Sequence, residues 1–341
     1  MNKLRALIVL VLGLWVTMLP MSVYADSNES AYSVSADIPD FQVDKNLSYF
    51  DLHLQPNQQK TIKIHLANTG KEKAAFLVNV NNAATNSNGV IDYGKNEFKK
   101  DPSAKYELNQ LVKPKTQEVE LPAGKAEDVQ FQITMPKTAF KGIVLGGIHV
   151  SKKDDISQKA KGTAIRNKYA YVIGVKLQNS LVKVTPDLKL KKVNVGLQNS
   201  YTTIFANIQN PTATIISKVA FDAKVTKKDS NEILYETKYE TKKENLSIAP
   251  NTNFDFPIGL NKDKIAAGNY TVTIDAKEQG TTHRWHMTSD LTIKADKANK
   301  LNHDAVTNEK GIPYLSLIIG IGLFLVLIIL FLSWKLLKAK R

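Results

Sequence analysis

The sequence predicts an all-β protein: two tandem immunoglobulin-like β-sandwiches followed by one C-terminal transmembrane helix. Three observations predict it. Apolar and polar residues alternate along one segment after another, the two-residue period of half-buried strands. Clusters of Asn, Gly, Pro and Asp break these segments at short intervals. Near the end, Ile312 to Trp334 runs 23 residues without Asp, Glu, Lys, Arg or His. A helix of that length rises about 1.5 Å per residue and crosses a ~30 Å hydrocarbon core with some tilt.

The strands follow in order. Thr61 to Leu66 alternates strictly, with Ile62, Ile64 and Leu66 on one face. After the turn Asn68-Thr69-Gly70-Lys71, Phe76, Val78 and Val80 repeat the pattern, and Val129, Phe131 and Ile133 repeat it again before Pro136. Gly142 to Val150 is more continuously apolar, as a central strand buried on both faces is. Gly142, Gly146 and Gly147 within it mark a bulge or a close backbone approach. Tyr169 to Leu177 is its expected hairpin partner across the Lys-rich loop Lys152 to Gly162, so the first sandwich is taken as residues 26–183. A short helix is expected only near Tyr106 to Val112.

The second half, residues 184–296, restarts the same grammar. Leu188 and Leu190 lead into Val193 and Val195, and Ile204, Ala206 and Ile208 end at the turn Asn210-Pro211. Val219, Phe221, Ala223 and Val225 alternate, and Leu234 to Lys243 follows. Phe254, Phe256 and Ile258 come after the break at Pro250. Tyr270, Val272, Ile274 and Ala276 precede Trp285, Met287, Leu291 and Ile293. About seven short strands with evenly spaced turns read as a sandwich. Residues 297–311 are polar and lack apolar periodicity. They are expected to be a flexible tether spanning about 20 Å on average and at most ~50 Å.

Charge orients the chain. Lys335, Lys338, Lys340 and Arg341 follow the apolar run; positive residues stay on the cytoplasmic side, so everything before Ile312 is expected outside. Lys3 and Arg5, the apolar stretch Ala6 to Leu19 and the small residues before Asp26 have the pattern of a cleavable signal peptide, residues 1–25. No Leu-Pro-x-Thr-Gly precedes the anchor, so transfer to the wall by a sortase is not expected. There is no cysteine, which excludes disulfides, thiolate metal sites and Cys nucleophiles. With Lys3, Arg5 and the four tail cations set aside, 40 basic residues face 32 acidic ones. Such a moderately basic exported surface suits anionic polymers, or serves only for solubility and protected strand edges. Only four of the 46 cations in the whole sequence are Arg, and with an exported topology nucleic acid is not an expected partner.

No catalytic constellation stands out. The six histidines are scattered, and His283 and His286 flank Trp285 at a spacing that sends them to opposite faces of a strand. Neither a nucleophile elbow nor a metalloprotease helix nor a phosphate loop is present. The chain is therefore expected to be no enzyme, with no metal and no cofactor. The stretch Ala83 to Tyr93 is a small and polar loop between good strands. Its Thr85, Asn86, Asn88 and Asp92, with Tyr93 and Tyr106 as stacking faces, are candidate residues for a sugar or peptide ligand. The competing reading is an ordered loop whose Asn side chains cap their own backbone.

These same residues carry a resemblance. Tyr49-Phe50-Asp51-Leu52, Thr85-Asn86-Ser87-Asn88-Gly89-Val90-Ile91-Asp92-Tyr93, Asp101-Pro102-Ser103 and Gly142-Ile143-Val144-Leu145-Gly146-Gly147-Ile148 resemble the first domain of the WxL-interacting proteins of low-GC Gram-positive bacteria. Gln209-Asn210-Pro211, Ala249-Pro250-Asn251, Ala267-Gly268-Asn269-Tyr270 and Trp285 are similar to that family's second domain. Asn57 and Ala104 depart from the family pattern, where Gly and Leu are usual. The resemblance implies a non-catalytic surface scaffold in the cell-wall zone. Its first domain is implied to bind peptidoglycan, its second to bind host extracellular-matrix ligands, and the whole to partner WxL-domain surface proteins. It also implies a domain boundary near residue 160, earlier than the hairpin argument places it. A structural spacer or assembly chaperone taking partner strands by β-augmentation is the alternative.

Overall fold

The computed structural model describes residues 31–94, 99–153, 169–239, 246–306 and 314–338. The expected signal peptide and the last residues of the basic tail lie outside these.

The first half is a sandwich of two sheets. One has the order β1 (Tyr32–Asp37), β3 (Gln59–Asn68), β9 (Ala126–Thr134), β7 (Val112–Lys113). The other has the order β2 (Phe50–His53), β11 (Ala170–Gln178), β10 (Ile143–Lys152), β4 (Ala74–Asn82), β8 (Thr116–Leu121). The predicted alternation sets the register. Ile62 and Ile64 lie opposite Phe131 and Val129, and Val80 and Val78 lie opposite Ile148 and Val150. All eight are buried, and each contributes about 1.5–3 kcal/mol by leaving water. β10 lies between β11 and β4 with most of its residues buried, as its apolar run predicts. β10 and β11 pair continuously from Ile143↔Gln178 to Ser151↔Ala170, so the expected hairpin forms and Tyr169 to Leu177 packs in the first sandwich. The short helix α1 (Leu108–Leu111) buries Leu108 and Leu111 against this core. A Cβ on Gly146 would overlap the Asn81 carbonyl and the Leu108 side chain, the close approach its glycine implied.

The second half is built alike. A sheet of β12 (Lys189–Gln198), β13 (Tyr201–Asn210) and β17 (Thr252–Gly259) faces one of β15 (Ile233–Tyr239), β14 (Ile216–Lys227), β18 (Gly268–Glu278) and β19 (Arg284–Ile293). β16 (Leu246–Ile248) adds to β14. Phe221 of one sheet meets Phe256 of the other at 5.1 Å between ring centres. The repeated grammar extends to side chains. Asn68 closes the turn after β3 by donating to the carbonyls of Glu72 and Leu121. Asn210 closes the turn after β13 by donating to those of Thr214 and Ala249.

The expected tether is not free over residues 297–304, and its residues 307–311 lie outside the described ones. Residues Ala295–Asp304 form a helix, α2. Its Ala298 and Leu301, three residues apart on one face, join the core of the second sandwich. Asn302 clasps Ile265, donating to its carbonyl at 2.8 Å and accepting from its N–H at 2.9 Å, and the Val306 N–H donates to the Ser200 carbonyl. Three apolar residues in ten, two of them buried, are too few to register as periodicity, yet they suffice when one strip of the helix is covered. A further helix, α3 (Tyr314–Lys338), runs 25 residues. Taking only residues whose side chains are also described, no helix is long and apolar enough to cross a membrane; the side chains at 314–317, 326–327, 329–330, 333 and 336–338 lie outside that set.

Leu301→Ala is expected to lower the stability of the second sandwich by about 2 kcal/mol, read as a fall in the denaturant midpoint. A tether at this position would leave the midpoint unchanged.

Candidate functional site

The two sandwiches meet along a polar seam, and most of the predicted loop lies in it. Ala84–Thr85 (β5) and Ile91–Asp92 (β6) pair as a small hairpin. Asn86 tightens its tip by accepting from the N–H groups of Asn88 and Val90. Thr85 is buried at 3 % exposure. Its hydroxyl lies 2.9 Å from that of Thr252 and accepts from the Ala249 N–H at 3.0 Å. The Gly89 carbonyl accepts from the Ser247 N–H at 2.8 Å. Gly89 has φ +68°, and a Cβ there would come within 2.7 Å of Leu246. On the other flank the Ile143 N–H donates to the Ala213 carbonyl, and a Cβ on Gly142 (φ +80°) would overlap that same carbonyl. Only glycine fits both the backbone conformation and the approach.

Asp101 is the centre of the seam. It is 5 % exposed. Its Oδ1 accepts from the Ser103 N–H (2.9 Å), the Ser103 hydroxyl (2.7 Å) and Gln209 Nε2 (2.7 Å); its Oδ2 accepts from Asn253 Nδ2 (2.6 Å). Gln209 and Asn253 belong to the second sandwich. Asn251 ties the same corner by donating to the Ser103 carbonyl at 3.1 Å. Burial alone would raise the Asp101 carboxyl. The hydrogen bonds, led by the Ser103 N–H, outweigh it and hold the group below the usual Asp value.

Beside the seam a cleft of about 690 Å³ opens between the sandwiches. The first sandwich lines it with Asn82, Lys99, Lys100, Tyr106 and Glu107, and the second with Lys191, Lys192, Asn207 and Asp255. Tyr106 packs against Phe140, ring centres 5.4 Å apart, with the Lys105 ammonium 5.3 Å from its own ring centre.

The six residues singled out from the sequence do not form one site. Thr85 is buried in the seam, Asn86 caps its own turn and Asn88 is exposed at the tip. Asp92 and Tyr93 lie on the outer face of β10. The Tyr93 carbonyl accepts from Asn81, and its ring lies over Gly147, whose Cβ position is 3.2 Å from it. Burial, then the nearby Tyr49, pushes the Tyr93 hydroxyl up. Burial pushes His149 down, against the pull of Asp92. Only Tyr106 lines the cleft. Sequence reasoning missed Lys191 and Lys192. Their signal was a change of parity: Leu188 and Leu190 are even-numbered inward residues, Val193 and Val195 odd-numbered ones. One extra residue must intervene, and the β12–β13 register does shift between Leu190 and Lys192.

Two protein-family profiles match the chain. Residues 32–152 match the peptidoglycan binding domain of WxL Interacting Protein, and residues 160–303 match its host binding domain. The comparison with curated proteins returns no match. Among solved structures, the class 5 fimbriae chaperone CfaA is 14% identical over 71% of this chain and 96% of its own, with a TM-score of 0.25. A chain of the CsuC–CsuE chaperone–tip adhesion subunit complex of Acinetobacter baumannii is 13% identical over 69% and 94%, with a TM-score of 0.28. The PapD-like domain 7 of human CEP192 is 10% identical over 48% and 96%, also with a TM-score of 0.28. Likenesses of this size say nothing of what the chain does.

Asp101→Ala removes the acceptor of four donors and is expected to cost about 1–3 kcal/mol, splitting one unfolding transition into two as the sandwiches uncouple. The depressed carboxyl also has a pH signature. Its contribution is complete above the unfolded value near pH 4 and is lost as pH falls through the lower folded value. The stability difference between the native protein and Asp101→Ala should therefore shrink below pH 4; a constant difference from pH 6 to pH 2 would assign the effect elsewhere.

Proposed function

The chain belongs to the WxL-interacting protein family, and we propose that it acts as a membrane-anchored, non-catalytic scaffold in the wall zone of a Gram-positive cell. In this reading the first sandwich binds peptidoglycan and the second presents a surface to host matrix ligands. WxL-domain surface proteins dock on the assembled pair. The observation that carries the scaffold reading is the seam around Asp101. A wall contact made by one sandwich then fixes where the other points. Tyr106, on the first sandwich and open to the cleft, is the candidate contact that we retain. Asn88, Asp92 and Tyr93 remain candidates on the hairpin tip and the outer face of β10, while Thr85 and Asn86 are read as structural.

The anchor is α3 together with the uncharged run Ile312 to Trp334, with the basic tail inside. Because Val306 is already tied to the second sandwich, only residues 307–313 separate it from α3. Seven residues reach at most about 25 Å, roughly half of what a free tether allows. The sandwiches would therefore sit close above the bilayer and grip the wall from its inner side. A protein in that position reaches the outer surface through partners, which favours a scaffold over a lone adhesin.

Two experiments test this. Full-length protein in detergent should co-sediment with purified sacculi; retention no greater than that of an unrelated β-sandwich protein removes the peptidoglycan assignment. In cells, the protein should stay in the membrane pellet after alkaline carbonate extraction, and a chain stopped at Glu309 should be released. Release of the full chain would remove the anchor.

A further inference from the structure

We propose that the cleft between the sandwiches binds an anionic segment of a wall polymer, with phosphodiester or carboxylate groups, and that the second sandwich supplies half of its cationic lining. This rests on the wall-binding reading above and extends it to a site that neither domain possesses alone.

A bulge in β12 brings two adjacent lysines to the cleft. In a regular strand, successive side chains point to opposite faces, so Lys191 and Lys192 could not both face one cleft. The register of β12 against β13 runs Leu190↔Ile208 and then Lys192↔Asn207, leaving Lys191 as the extra residue. Both lysines consequently line the cleft. Bulges re-aim side chains in this way next to binding sites. Lys99 and Lys100 line it from the first sandwich.

Among the described residues no ion pair engages any of these four ammonium groups. Three carboxylates line the same cleft, yet each has neutral donors as partners. Asp101 has Ser103, Gln209 and Asn253; Asp255 has Asn207 at 2.8 Å; Glu107 has Gln110 at 3.4 Å. None of the three forms a direct ion pair with the four ammonium groups, which stay open to a ligand. Lysine suits this task because it is a point charge without the fixed fork that Arg imposes. Size and surface fit a polymer segment. About 690 Å³ lies in the range of ligand-sized clefts, roughly 300–1,000 Å³, too large for one inorganic ion. Tyr106 offers a half-buried ring face and Asn207 an amide, the groups a sugar ring and its hydroxyls use.

The test uses full-length protein in detergent and two separate probes. Sacculi stripped of phosphate polymers with hydrofluoric acid offer peptidoglycan carboxylates; purified wall teichoic acid offers phosphates. Lys191→Glu/Lys192→Glu and Lys99→Glu/Lys100→Glu are compared with the remote pair Lys63→Glu/Lys71→Glu, which makes the same charge change. On the probe that supplies the anion, each cleft pair should weaken binding by about tenfold and flatten its salt dependence, while the remote pair changes it little. Native-like retention of both cleft pairs on stripped sacculi and on teichoic acid overturns the cleft site and leaves the peptidoglycan reading standing. An equal loss from the remote pair also overturns it, since the effect is then net charge. Failure of the unsubstituted protein to bind either probe overturns both readings. Lysine-dependent binding to teichoic acid alone upholds the cleft and removes peptidoglycan as its ligand.

Discussion

The Asp101 carboxylate is the constraint on which the arrangement of this molecule depends. A buried charge is tolerated only when its lone pairs are satisfied. Here two acceptor atoms collect four hydrogen bonds, two from Ser103 and two from the other sandwich. Neither sandwich alone can supply that set. Satisfying the charge therefore draws β13 and β17 against the loop that holds Asp101. Gly89 and Gly142 permit the rest of the approach, because any larger residue would meet Leu246 or the Ala213 carbonyl. Two separately cored domains thus acquire a defined relative placement from a few polar contacts rather than from a large apolar interface.

The proposed function rests on that placement. The matched peptidoglycan-binding and host-binding regions meet at residues 152 and 160, ahead of β11, yet β11 pairs along its length with β10 and also with β2. The second region thus contributes a strand to the first sandwich, and the seam adds a second link. The cleft exists only because both sandwiches stand where the seam places them, and the β12 bulge then turns two adjacent lysines into it.

Much of this was legible in the sequence. Strict alternation at Ile62-Ile64-Leu66 or Val219-Phe221-Ala223-Val225 gives both the strand and its buried face, since one face of a sheet must cover the core. The continuous apolar run from Gly142 marked the central strand, and its glycines marked close approach. The site was less legible. Thr85 and the hairpin near it have the composition of a ligand loop, but the same small polar residues also suit a tight domain junction. No local pattern distinguishes the two, because the partner atoms come from Ala249 and Thr252, more than 160 residues away. Helix α2 escaped notice because its apolar strip is only two residues wide. The lysine pair at 191–192 could have been found from the parity change that encloses it.

The seam holds the two sandwiches in one fixed relative position. The chain has no cysteine, so Gln130→Cys and Thr288→Cys, on exposed positions of opposite sandwiches, allow a single pair of spin labels to be placed. Pulsed dipolar spectroscopy on the full-length protein then reads their separation directly. A single narrow distance distribution that broadens on introducing Asp101→Ala is the predicted result. A broad distribution in the unsubstituted protein, unchanged by loss of Asp101, would contradict the account.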